Sequence, residues 1–273
     1  MKALLPALAI GALAFGQTAT QKSFPSPQAA ARDLVQAAAS DNTTELNAIF
    51  GPHASTVLTT GNPQQDQAER AEFVKAAESQ QRLQKDSMDP NRMILCVGSE
   101  DWPFPVPIVK KNGAWIFDTA MGAESMRARR IGANELDAID ICVSLGTAEQ
   151  DYSEINPQHV YAPSIAALSS MIPQDFEQDE GGVALKPYHG YYFQILKAQG
   201  SAAPGGAHAY LVKNQLLGGF AIVAWPAEYG VTGVNTFVVN QDGIVFEKDL
   251  GPSHRQGAPV TTYNPDASWK PVD

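Results

Sequence analysis

The sequence predicts an α+β fold in two domains, and three observations carry that expectation. Cap-and-proline signals at Ser26-Pro27 and Asn62-Pro63 open helices. Asn112-Gly113 lies between two apolar runs, the signature of a tight β-hairpin. Asp242-Gly243 does the same near the other end, in Gly218 to Gly251. At 273 residues the chain exceeds a typical single domain. The expected division is a signal segment over residues 1–16, a linker over 17–25, an α+β domain over 26–132, a second over 133–251 and an extended tail over 252–273.

In chain order, Ala30, Leu34 and Ala38 recur at helical spacing after the Ser26-Pro27 cap. Asn42, with Glu45 three residues on, starts a second helix that Gly51-Pro52 stops near Phe50. Asn62-Pro63 opens a third helix, expected to run to about Gln84 with only a narrow apolar stripe (Ala68, Phe73, Ala76). Met93 to Gly98 reads as a strand, and Pro107 to Lys111 pairs with Ala114 to Thr119 across the Asn112-Gly113 turn. In that hairpin Ile108 shares a face with Trp115 and Phe117, while Val109 and Ile116 point the other way.

Arg127, Arg129 and Arg130 form a basic knot beside Gly132, and Asn134 reads as the cap of a long helix from Glu135 to about Glu154. It carries two apolar stripes: Ile141, Leu145, Ala148 and Tyr152, then Leu136, Ile139 and Val143. Ala162 to Met171 reads as a shorter helix, and Asp175 to Gly182 as an acidic loop. Tyr191 to Leu196 and Phe220 to Trp225 are strands, the second apolar on both faces. Around Asp242-Gly243, Phe237 and Val239 are expected to share a face with Ile244 and Phe246. Pro252 onward has little pattern.

Met1 to Gly16 has the anatomy of a secretory signal: Lys2, an apolar core from Ala3 to Phe15, and small residues Ala14 and Gly16 before the cut. The run is too short to span a bilayer, and with no cysteine near the cut no lipid anchor is expected. The protein is therefore expected to be exported, periplasmic or secreted, with no membrane anchor after cleavage. The formal net charge is −10. Residues 136–273 hold 6 basic and 15 acidic residues, a balance that repels nucleic acid and anionic lipid. The acidic surface solubilises; a cation or a basic partner is the functional alternative.

Cys96 and Cys142 are the two cysteines. Export permits a disulfide between them, but both sit among apolar residues and read equally as buried thiols. Neither has a second Cys or His at ligand spacing, so no metal site and no cofactor is expected.

Two or three helices followed by the hairpin KKNGAWIF resemble the cystatin-like cone fold of the nuclear-transport-factor-2 type. A long helix followed by HVYAPSIAALSSM, GYYFQIL and GGFAIVAWPAEYGVTGVNTFVVNQDGIVF is similar to the globular head of type IV pilins and pseudopilins, a helix on an antiparallel meander. Those proteins begin with a long apolar polymerisation helix that this sequence lacks before Glu135, so the resemblance implies a soluble head. Taken whole, DWPFPVPIVKKNGAWIFDTA, RRIGANELDAIDIC, YHGYYFQILKAQGSAAPGGA and WPAEYGVTGVNTFVVNQDGIVFEKDLG resemble the bacterial family catalogued as domain of unknown function 2950. The resemblance implies an exported bacterial protein and carries no catalytic residue with it.

The sequence holds no G-x-S-x-G, H-E-x-x-H, C-x-x-C or phosphate-binding glycine loop. Three constellations remain. Asp101 and Trp102, after Glu100, place carboxylates beside an indole, fit for a cation or for acid-base work if buried, or else an acidic turn anchored by its tryptophan. Trp225, Glu228 and Tyr229 set aromatic rings around a carboxylate, suited to a sugar or peptide, or else a strand-to-strand corner. His208 ends a flexible Ala-Pro-Gly loop that reads as a lid or as plain surface.

These observations predict a non-catalytic binding or interaction module of the cell envelope, whose partner is an unknown protein or cell-wall ligand. Two alternatives stand beside it. One is an envelope hydrolase with its pocket in the first domain, collecting Asp101, His53 or Asp118. The other is a soluble partner of pilus or secretion machinery.

Overall fold

A computed structural model describes residues 21–172, 176, 186–252 and 257–272. The expected signal segment, Met1 to Gly16, lies outside the described residues, as does nearly all of the acidic loop Asp175 to Gly182. The fold is α+β, in two compact units divided between Met126 and Arg127.

In the first unit, local cap chemistry sets the helices. Ser26 Oγ accepts from the Ala29 amide at 3.1 Å to open α1 (Pro27–Ala39). Asn42 Oδ1 accepts from Glu45 N at 3.0 Å to open α2 (Thr43–Phe50), which ends at Gly51 with φ 74°. A short α3 (Ser55–Leu58) follows, and then α4 (Pro63–Ser79), capped by Asn62. The third expected helix thus ends five residues early. Its last residues instead form β1 (Gln81–Lys85), paired antiparallel with β2 (Arg92–Val97) over five positions. The polar, charged composition of β1 suits an edge strand and hides its pairing from helix-period reading.

β3 (Trp102–Pro103) also pairs with β2, and β4 (Ile108–Lys111) continues the sheet to β5 (Ala114–Phe117). The hairpin register is the expected one, Ile108 opposite Phe117 and Lys110 opposite Trp115, across Asn112 and Gly113 at φ 51° and 83°. Aromatic rings pack the interior. Phe50 and Phe104 pack on Phe117 at 5.3 and 6.5 Å between ring centroids, and Phe73 on Phe104 at 5.1 Å. Gln21 Nε2 donates to the carbonyls of Ile49 and Phe117, and Thr119 Oγ1 to that of Phe50, so the buried backbone oxygens are satisfied.

The helix expected to start at Asn134 is longer: α5 runs from Thr119 to Ile155, 37 residues. Asp118 opens it, its Oδ1 accepting from Met121 N at 3.1 Å. Gly132 sits inside the helix, where a single glycine costs only about 1 kcal/mol. Asn134 does not cap; its Nδ2 donates to Thr232 O at 2.8 Å. The line buried in the second unit is Ala138, Cys142, Leu145, Ala148 and Glu149, whereas Leu136 and Val143 of the second expected stripe are exposed. The segment Ala162 to Met171 holds only a 3-10 turn, Ile165–Leu168.

Five antiparallel strands make the second unit's sheet: β6 (Tyr191–Leu196), β11 (Ala221–Pro226), β12 (Asn235–Asn240), β13 (Phe246–Asp249) and β14 (Lys270–Pro271), in the order β14-β13-β12-β11-β6. Two short ribbons lie between β6 and β11 in sequence: β7 (Ala198–Gln199) with β8 (His208–Ala209), and β9 (Leu211–Val212) with β10 (Gln215–Leu216). The β12–β13 register differs from expectation by one residue, with Val238 opposite Phe246 and Phe237 opposite Glu247. The cause is the turn. Gly243 N bonds to Asn240 O at 3.0 Å and Asp242 N to Asn240 Oδ1 at 3.2 Å, which pulls the bend back to Asn240. A one-residue slip exchanges faces, so Phe246 joins Val238 rather than Val239. The extended tail is tied down at two points: β14 pairs with β13, and Tyr263 is buried, bonded through its backbone to Ala198 and Gly200.

Two glycines of α5 give opposite expectations. A Cβ on Gly122 would lie 2.5 Å from Val106 Cγ2, whereas one on Gly132 meets nothing within 4 Å. Gly122→Ala should destabilise by about 1–3 kcal/mol through overpacking, and Gly132→Ala should stabilise by about 0.5–1 kcal/mol through helix propensity. Urea denaturation of both variants checks the pair; a destabilised Gly132→Ala would contradict a helix continuous through residue 132.

Candidate functional site

The residues singled out by the sequence do not converge. Asp101, at φ 54°, accepts from Arg82 Nε at 2.6 Å, and that bond holds its carboxyl below the usual carboxylate range. Trp102 is half exposed and packs edge-on against Phe104 at 6.4 Å. His53 is exposed, and Asp118 Oδ1 accepts from Met121 N at the start of α5.

Trp225 is buried and packs against Tyr192 at 5.6 Å between ring centroids. Glu228 is exposed, and its backbone closes a corner: Thr232 N and Val231 N both donate to Glu228 O. Tyr229 points its hydroxyl to Asp249 at 3.1 Å; burial first, then that bond, raises its pKa. His208 sits between the carbonyls of Gly206 and Gly218, and the loop before it is pinned by Gln199 Nε2 on the Pro204 and Gly206 oxygens, with Ala203 buried. That is a fastened loop rather than a lid.

Cys96 and Cys142 are both free and buried, each in its own unit, so the disulfide left open by the sequence is not formed. Burial pushes the Cys142 thiol up, away from thiolate chemistry.

What the structure brings together instead is a cavity of about 130 Å³ between α5 and the turn that starts β6. Its floor is apolar: Ile141, Leu145, Ile172 and Phe176. Its rim is polar: Asp137, Asp140 and Ser144 of α5, with His189 opposite. The Tyr188 ring closes one side, 4.8 Å from Phe176 and stacked at 4.3 Å on the His189 imidazole.

Helix geometry explains three of the four rim residues, since residues three and seven positions after Asp137 fall on one face. A two-residue turn explains the rest. Tyr188 and Tyr191 exchange both backbone bonds, at 2.7 and 2.9 Å, leaving His189 (φ 46°) and Gly190 (φ 78°) at the tip. His189 Nδ1 meets Asp137 Oδ2 at 2.6 Å. A carboxylate only accepts, so Nδ1 carries the proton in this pair. The legible signals were the Asp137, Asp140, Ser144 spacing and the His-Gly pair before an apolar strand; no spacing rule connects residues 137 and 189.

Glu149 is a second polar feature. It is fully buried on α5; Oε2 accepts from Ala162 N at 2.7 Å and Oε1 has no hydrogen-bond partner among the described residues. Burial raises its pKa to about 8, against the opposing bond from Ala162.

Among the described residues no three His, Cys, Asp or Glu side chains gather to hold a metal, and no helix is long and apolar enough to cross a membrane. Residues 21–171 and 163–272 match the model of a family described as protein of unknown function, DUF2950. No curated protein and no solved structure matches the chain.

Glu149 sets a pH dependence with a definite sign. Between its unperturbed value of 4.5 and about 8, the folded chain holds a proton there that the unfolded chain has released. Stability therefore falls as pH rises through that window and is flat above it, a loss on the order of 3–5 kcal/mol. Glu149→Gln should remove this component and leave the protein more stable than wild type at pH 8. Thermal unfolding of both proteins from pH 5 to 9 checks it; an unchanged slope in the variant would contradict the assignment.

Proposed function

We propose that this chain, which belongs to the DUF2950 family of proteins of unknown function, is an exported, non-catalytic binding module with its ligand seat in the cavity between α5 and the His189 turn. The observation that carries the reading is the cavity's composition. An apolar floor ringed by a few polar groups is the usual make-up of a small-molecule site. At about 130 Å³ it lies well under the ~300 Å³ at which drug-sized ligands begin, so it suits a head group or one protruding side chain. Export rests on the Met1 to Gly16 segment.

The partner is a cell-wall fragment or an envelope protein. A helix lying on an antiparallel meander supports the pilin-head-like reading of the second unit, and with it the variant in which the partner belongs to pilus or secretion machinery. The helices and antiparallel sheet of the first unit support the cone-like reading, with aromatic packing that suits a scaffold.

A second reading, an envelope hydrolase, is favoured by one observation: the Asp137–His189 pair lines the same cavity as Ser144. An oriented imidazole and a hydroxyl lining one cavity are two of the groups a nucleophilic site needs. It would place the chemistry in the second unit, not in the first, where the sequence located it.

A thermal-shift screen of the purified chain against cell-wall fragments, sugars, amines and peptides tests the binding reading. At least one class should raise the melting temperature saturably, and Ser144→Trp, which fills the rim from an exposed helix position, should abolish that rise. An unchanged response in Ser144→Trp would move the site elsewhere. Steady ester turnover by the wild type, lost in both His189→Ala and Ser144→Ala, would replace binding with hydrolysis.

A further inference from the structure

We propose that the group this cavity takes is an organic cation, a primary ammonium on a short apolar stem. The inference deepens the reading above and rests on the cavity being the ligand seat. Ile141, Leu145, Ile172 and Phe176 offer no hydrogen-bonding side-chain group, so the part of the ligand that reaches the floor is hydrocarbon. The part that stays at the rim meets carboxylates. Asp137 and Asp140 stand one turn apart on α5, and no lysine or arginine is among the described lining residues.

Their charges are not equally available. Asp137 is engaged by His189, whereas Asp140 makes no ion pair among the described residues. An incoming ammonium therefore finds its counter-charge at Asp140, with the Ser144 hydroxyl one further turn along the same face as an acceptor.

The aromatic wall acts in the same direction. Tyr188 and Phe176 line the cavity, and aromatic rings attract cations to their π-faces while repelling carboxylates from them. The wider field agrees: residues 136–273 hold 15 acidic and 6 basic residues, so an anion approaches this unit against its charge. A neutral ligand gains the floor and forgoes the rim. The volume selects a stem of a few carbons, the length of a lysine side chain or a short free amine.

The test is an NMR titration of the ¹⁵N-labelled full chain at neutral pH with n-butylamine (protonated there), 1-butanol and butyrate. The expected result is saturable movement of the Asp140, Ser144 and His189 amides, with butylamine binding about tenfold more tightly than butanol and butyrate binding least. Asp140→Asn should bring butylamine to the butanol value without weakening butanol, which separates lost charge from lost fold. Ser144→Trp should suppress both.

Butanol or butyrate binding as tightly as butylamine in the wild type overturns the cation inference and leaves the seat standing. No saturable shift with any of the three overturns both. Nα-acetyl-lysine N-methylamide distinguishes the sources: tighter binding than butylamine supports a lysine side chain of a polypeptide, weaker binding a free amine.

Discussion

The second unit depends on one carboxylate. Glu135 Oε1 accepts from the backbone amides of Val234 and Asn235, each at 2.9 Å, and lies 3.5 Å from the Tyr191 hydroxyl. Tyr191 in turn is fully buried and donates to Asn235 O at 3.0 Å. One residue earlier, Asn134 reaches Thr232 O. This clamp joins α5 to the point where β12 begins and β6 passes, and so fixes the rotation of the helix over the sheet. With Glu135 held, Ala138, Cys142, Leu145 and Ala148 turn inward, and Asp137, Asp140 and Ser144 turn to the side where His189 stands. The cavity follows from the clamp; no loop has to close to make it.

Burial along the inward line is nearly complete, and Glu149 is where it becomes costly. An aliphatic residue there would continue the stripe; a carboxyl instead spends one oxygen on Ala162 N and leaves the other unmatched. The bond ties the segment after α5 back to the helix, at the expense of a group that must stay protonated to be tolerated. Stability and local anchoring are therefore opposed at this one position, in contrast to Glu135, whose oxygen is shared between two amides.

Much of the fold was legible because its signals are local. Ser26, Asn42 and Asn62 cap helices with their own side chains, and Asn112-Gly113 makes its turn with its own backbone. What was missed depends on partners distant in sequence. Gln81 to Lys85 has no strand pattern of its own and becomes a strand because Arg92 to Val97 lies beside it. Asn134 is a good cap residue used instead as a tether, so the helix start was placed sixteen residues late relative to Thr119. At Asn240 a side-chain bond to Asp242 N shifted the hairpin register, a choice among turns that composition leaves open.

The site was less legible than the fold, for a related reason. Trp225, Glu228 and Tyr229 have the chemistry of a binding surface, but position along a strand and its corner sends the indole into the core, the carboxylate to solvent and the phenol to Asp249. Asp101 is held by Arg82, and His208 by two carbonyls. The groups that do converge, Asp137, Asp140, Ser144 and His189, come from a helix and a turn some fifty residues apart, joined only by the topology of the sheet.

Amide hydrogen exchange at Val234 and Asn235 tests the clamp directly. If Glu135 fixes the helix over the sheet, both amides should exchange as slowly as the central β11 amides in the wild type, and the His189 and Asp140 amides should change environment when Glu135→Ala releases them. Exchange at unprotected rates in the wild type, or protection unaltered in Glu135→Ala, would contradict the account.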